Sequence, residues 1–144
     1  MNKIMIIESR FYDEITDDLL KGAIEELEGV NYKRLVVPGI LEIPAAISYI
    51  MKYSNERYAG YIVLGCAIKG ETDHYEHVSR EAINGVQKLA LDFTLAVGNG
   101  ILTVHNRAQA MERCSPLKRN FGGQAARACL KMIEIKHNLI DLHI

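Results

Sequence analysis

Residues 65 to 79, "GCAIKGETDHYEHVS", gather Gly70, Thr72, His74 and His77 where an apolar run gives way to a polar one. Two chemistries suit that composition. A glycine leaving a strand and opening a helix would point the amides of Glu71, Thr72 and Asp73 at a phosphate. The same Gly, Thr and Asp also make a plain helix N-cap, and no GxxxxGK[ST] is present to indicate a nucleotide loop. His74 and His77 lie three apart around Glu76, but "HYEH" is not HExxH and lacks a third ligand at a recognisable spacing, so no metal is expected. His74 is nearer the strand end. An imidazole there suits proton transfer near neutral pH, although a solvated surface histidine fits the local sequence as well.

Three more clusters carry usable groups. Phe11, between Arg10 and Tyr12, could stack on a heterocycle or join the core. Glu42 in "PGILEIP" follows a turn set by Pro38 and Gly39, where a carboxylate could accept hydrogen bonds from a polyol or merely favour a helix dipole. Arg113, ending "AQAMER", could reach an anion or be an ordinary basic residue near a helix C-terminus.

The elements that must hold these clusters are visible in the periodicity. Short apolar runs at 3 to 8, 33 to 38, 61 to 67 and 95 to 104 alternate with longer amphipathic stretches, so the chain reads β-α-β-α-β-α-β-α-α. The runs lack clean alternation, which predicts strands buried on both faces of a parallel sheet. Leu19, Leu20, Ala23, Ile24 and Leu27 recur at helical spacing, and Gly29 is placed to end that helix. A second helix begins near Pro44, a third covers roughly 73 to 93, and "GGQAARACLKMIEIKHNL" forms a terminal helix. The result is a doubly wound four-stranded sheet, with each polar cluster at the carboxyl end of a strand, where such folds bind ligands.

Composition narrows the partners. A chain of 144 residues with 49% hydrophobic and 24% charged residues fits one globular domain, 1–144, with a core of its own. A formal charge of −1 leaves no basic excess for nucleic acid. Cys66, Cys114 and Cys129 are odd in number and widely spaced, which suggests reduced thiols and a cytoplasmic location. No signal-like segment or run of about 18 apolar residues points to secretion or a membrane.

Taken together, "RFYDEITDDLLKGA" at 10 to 23, "VVPGILEIPAA" at 36 to 46, "LGCAIKGETDHYEHVSREA" at 64 to 82, "GNGILTV" at 98 to 104 and "GGQAARACLKM" at 122 to 132 resemble the lumazine synthase family. The resemblance implies a three-layer α/β/α sandwich of flavodoxin-like type on four parallel strands in the order 2-1-3-4. It implies condensation of 5-amino-6-(D-ribitylamino)uracil with 3,4-dihydroxy-2-butanone 4-phosphate to 6,7-dimethyl-8-ribityllumazine, phosphate and water, the penultimate step of riboflavin biosynthesis, with no cofactor and no metal. Phe11 would stack on the pyrimidine. Ile40, Leu41 and Glu42 would hold the ribityl chain and ring edges, and Ala67 and Ile68 would line the same pocket. Gly70, Glu71 and Thr72 would cradle the phosphate with Arg113, while His74 moves protons. The resemblance further implies self-association into pentamers with sites between subunits, Asn99 reaching across from the neighbour, and riboflavin synthase as a partner protein.

Two departures accompany it. Many members carry a lysine just before the glycine of the final helix, where this chain has Phe121, with Lys118 and Arg119 slightly earlier. Few residues precede the first strand, so the N-terminal strand that family members lend to a neighbour's sheet is expected to be short or absent, against a large shell. A non-catalytic flavin- or lumazine-binding oligomer on the same fold would use Phe11 and Glu42 but need neither His74 nor Arg113. A signalling receiver domain would want an acidic pair after the first strand, where Glu8 is followed by Ser9 and Arg10.

Overall fold

The computed structural model describes residues 3–142. Four parallel strands, β1 (Ile4–Ser9), β2 (Tyr32–Val37), β3 (Gly60–Ile68) and β4 (Ala96–Val104), form one sheet in the order β2-β1-β3-β4. Between and after them run helices α1 (Asp13–Glu26), α2 (Ile43–Tyr53), α3 (His74–Phe93), α4 (Arg107–Cys114) and α5 (Phe121–Asp141). A single 3-10 turn, Ile40–Glu42, leads into α2, whose first turn contains Pro44. The expected class, strand order and helix positions are therefore met. Among the described residues no helix is long and apolar enough to cross a membrane.

Successive residues of a strand point to opposite faces. Ile4 and Ile6 of β1, with Ile62 and Leu64 of β3, bury against Ile15 and Leu19 of α1 and Ala126 and Cys129 of α5. Met5, Ile7, Tyr61 and Val63 bury against Ile43 and Ile47 of α2 and Ala82 and Val86 of α3. Each fully buried isoleucine or leucine contributes about 2 kcal/mol from apolar burial, which is why the two inner strands read as unbroken apolar runs.

The outer strands correct the expectation of two-sided burial. β2 is exposed at all but its last residue, with Val36 55% accessible, and β4 alternates between buried and partly or fully exposed positions. The reason is position. β2 and β4 are the two edges, and a run of valines and leucines reads alike at an edge and in the centre.

α1 ends earlier than Gly29, at Glu26, and Gly29 turns the chain into β2 at a φ of +77° that favours glycine. At the start of α5, Asn120 adopts a left-handed φ of 50° and its side-chain oxygen accepts the Gly123 amide at 3.1 Å. This cap aims α5 along α1, where Gly122 lies so close that a Cβ would stand 1.9 Å from the Leu19 carbonyl oxygen. On the opposite face α3 is set by Gly85, which passes Pro44 with no room for a side chain, and by the Thr103 hydroxyl donating to Ser79 Oγ at 2.8 Å.

Candidate active site

A cavity of about 330 Å³ opens at the carboxyl ends of β1 and β3. The β1–α1 turn brings Ser9, Phe11 and Tyr12 to it, and the β2–α2 turn brings Gly39 and Ile40. The end of β3 supplies Cys66, Ala67 and Ile68, and the following loop with the first turns of α3 supplies Gly70, Thr72, His74, Tyr75 and Val78. Its wall is mostly apolar with a few polar groups, the usual make-up of a small-molecule site.

Each wall has a local cause. The buried Thr16 hydroxyl donates to the Ser9 carbonyl at 2.6 Å and ties the β1–α1 turn to α1. Phe11, 73% accessible, takes no place in the core, and its ring makes an edge-type pair with that of Tyr12, centroids 4.9 Å apart and planes at 80°. Of the two readings of Phe11, a face offered to a ligand is the one its exposure fits. Gly39 lets the chain turn beneath the Glu42 carboxylate, whose Oε1 lies 3.1 Å from where a Cβ would be.

The loop before α3 carries features of both of its readings. Asp73 occupies the N-cap position, yet its carboxylate caps no amide among the described residues; the His74 amide donates instead to Thr72 Oγ1 at 3.3 Å. A Cβ on Gly70 would meet nothing within 4 Å, so the backbone here faces open space. His74 is exposed on the cavity wall, while His77 lies off it. Among the described residues no three His, Cys, Asp or Glu side chains cluster as a metal site.

Burial pushes the Cys66 thiol up to about 12, with the Cys114 thiol adding to the rise, which favours the protonated form at neutral pH. Beneath the turn, Glu8 is completely buried, and its carboxylate accepts Arg34 Nε at 2.5 Å, Arg34 Nη2 at 3.0 Å and Arg10 Nε at 2.8 Å. Burial raises its pKa, but the hydrogen bonds and charges of Arg34 and Arg10 outweigh that and hold it below the usual carboxylate range.

Phe11, Ile40, Ala67, Ile68, Gly70, Thr72 and His74 thus share one cavity, whereas Leu41, Glu42 and Glu71 sit exposed just outside its wall. Two expected residues are elsewhere. Asn99 is exposed on edge strand β4, its side-chain oxygen accepting the Ile101 amide at 2.9 Å. Arg113 is in the last turn of α4, where its Nη1 donates to the Gln109 carbonyl at 3.2 Å. Phe121 is half-buried at the start of α5, and the Arg119 guanidinium lies 5.1 Å from its ring centre. Sequence reasoning passed over Ser9, Tyr12, Cys66, Tyr75 and Val78, all of which flank the strand-end clusters it did select.

The model of the 6,7-dimethyl-8-ribityllumazine synthase family matches residues 1–137. The chain belongs to that family. A 6,7-dimethyl-8-ribityllumazine synthase of Paramagnetospirillum magneticum is 51% identical, with 96% of this chain and 97% of that protein covered. Those of Afipia carboxidovorans, 49% identical over 95% of this chain and 87% of that protein, and of Bartonella bacilliformis, 46% identical over 96% and 92%, are also similar. Lumazine synthases are transferases of riboflavin biosynthesis, and a cavity with an exposed aromatic, a histidine and an uncrowded glycine backbone agrees with a condensation of small molecules.

Proposed function

We propose that this cavity is where the chain condenses 5-amino-6-(D-ribitylamino)uracil with 3,4-dihydroxy-2-butanone 4-phosphate, giving 6,7-dimethyl-8-ribityllumazine, phosphate and water. The observation that carries the assignment is the exposed Phe11 ring sharing one cavity with His74 and the open backbone at Gly70. In this reading the pyrimidine stacks on Phe11, with Ala67 and Ile68 beneath it. The 3-10 turn Ile40–Glu42 lies against the ribityl chain. The amides of Gly70, Glu71 and Thr72 receive the phosphate of the second substrate.

The 5-amino group of the pyrimidine attacks the butanone carbonyl and water leaves as the imine forms; phosphate is then eliminated, the resulting enol becomes a ketone, and the second amine closes the ring on that carbonyl with loss of a second water. His74 carries protons between these nitrogen and oxygen atoms, and the loop amides stabilise the leaving phosphate. Holding two substrates side by side accounts for much of the acceleration.

Asn99 and Arg113 lie off the wall of their own chain's cavity, which supports a site completed by a neighbouring subunit. Exposed Leu35 and Val36 on the β2 edge supply apolar surface for such an assembly. A pentamer of single-domain chains, each 1–144, is the proposed form, with riboflavin synthase as a partner that consumes the product. Three buried thiols without disulfides support a cytoplasmic location. Arg119 and Lys118 are the basic residues proposed to act where Phe121 replaces the family's lysine.

The test is lumazine formation followed by absorbance with both substrates. His74→Ala should slow turnover by about a hundredfold without abolishing it, and Arg113→Ala should raise the KM for the butanone phosphate. Mixing the two variants after dissociation and reassembly should restore part of the rate if the groups come from different subunits. No rate above background from folded wild-type protein would overturn the assignment.

A further inference from the structure

Among the described residues the buried polar side chains are Glu8, Ser9, Thr16 and Ser79, and three of these four flank the β1–α1 turn, Glu8 and Ser9 at the end of β1 and Thr16 in the first turns of α1. Glu8 is the charged one. Its carboxylate sits at the end of an apolar strand, beneath the turn that carries Phe11, with Arg34 of β2 on one side and Arg10 on the other. Arg10 then continues to Asp17 and, at 3.4 Å, to Asp13 in the first turns of α1. The guanidinium therefore spans from the end of β1 to the start of α1, and Phe11 is the next residue after it.

Burying a carboxylate with its ion partners is a poor way to gain stability, since an apolar side chain of similar volume often does as well. What a charged fork with several acceptors does supply is direction. Phe11 has little packing of its own: it is 73% accessible, and its ring pairs with that of Tyr12 at 4.9 Å and 80°. Neither Glu8 nor Arg10 lines the cavity, so neither touches a molecule bound there.

We propose that Arg10, clamped between Glu8 and Asp17, is a positioning residue that sets the plane of Phe11 for stacking on the pyrimidine. This rests on the reading that Phe11 stacks on that ring. The clamp acts before substrate arrives, so it lowers the cost of ordering the ring on binding, and its effect should fall on one substrate.

Steady-state kinetics of Arg10→Met, Phe11→Ala and the double variant test it. Arg10→Met should raise the KM for the ribitylaminouracil about fivefold, the scale on which ring geometry matters beyond contact area, and leave the KM for the butanone phosphate unchanged. In the Phe11→Ala background the same change should add less than about twofold, because the group through which it acts is gone. Additive effects, or a parallel rise in both KM values, would overturn the proposal. A clear effect of Phe11→Ala with none of Arg10→Met would overturn the clamp alone, whereas no effect of Phe11→Ala would overturn the stacking reading and the clamp with it. If Arg10→Met does not fold, Glu8→Gln, which keeps shape and removes the charge Arg10 leans on, should give the same one-sided rise in KM, and its absence would count against the clamp equally.

Discussion

Gly122 and Gly70 stand at opposite extremes of close approach. A Cβ on Gly122 would lie 1.9 Å from the Leu19 carbonyl oxygen, and one on Gly98 1.9 Å from that of Ala125, so α5 rests backbone to backbone on α1 and β4. A Cβ on Gly70 would meet nothing within 4 Å. In the first region glycine is required because the neighbours leave no volume, and the reward is a rigid support. In the second it leaves the backbone uncrowded at the mouth of a cavity, and the loop is held by the Lys69 amide donating to the Val104 carbonyl at 2.9 Å, by the Thr72 cap and by α3 behind it. One residue type serves opposite purposes, and the surroundings alone distinguish them.

The sharpest way to break this comparison is Gly122→Ala. Moving α5 off α1 should cost about 3 kcal/mol, read as a lower urea midpoint with an unchanged slope. A stability loss of that size at Gly70→Ala would erase the distinction.

Glu8 gives the next largest effect. It lies under the open end but is packed like the closed one, and its folded pKa is held below the ordinary 4.5. Its contribution is therefore fully present above about pH 4.5 and disappears as pH falls through the lower folded value. Wild-type stability should drop through that window by more than that of Glu8→Gln, which has no charge to lose. Urea unfolding at several acidic pH values checks this.

Gly70→Ala should change stability by less than about 0.5 kcal/mol while raising the KM for the butanone phosphate, because the added methyl faces the proposed phosphate position. The smallest effect is expected of the thiols. Burial pushes Cys66 and Cys129 up to about 12 and Cys114 to about 11, so iodoacetamide at neutral pH should leave folded protein unmodified by mass spectrometry and label it only after denaturation.

How much of this was legible beforehand depends on whether a feature is local. β1 and β3 were visible because their two-sided burial demands unbroken apolar runs, and α3 because its face repeats at helical spacing. Which strands are edges was not visible, since that follows from strand order, and so β2 and β4 were expected to be buried where they are open. At the site, Phe11, His74 and the Gly70 loop were found because strand ends collect ligands in this architecture. Asn99 and Arg113 matched by motif, yet one chain does not bring them to the cavity. Glu8 was read as the last residue of a strand; its partners are Arg10 two residues on and Arg34, which the parallel register sets opposite Ile6. No spacing along the chain announces that triad.

The close seat of α5 on α1 also governs what happens while the chain is being made. α1 is complete once Glu26 has been added, but the helix that covers it does not begin until Phe121. Leu19, Ala23 and the flank of α1 around Gly22 therefore wait, uncovered, through almost the whole of synthesis. A nascent or truncated chain lacking the final helix presents that apolar face to the cell, making it a substrate for chaperones and proteases that the finished protein escapes.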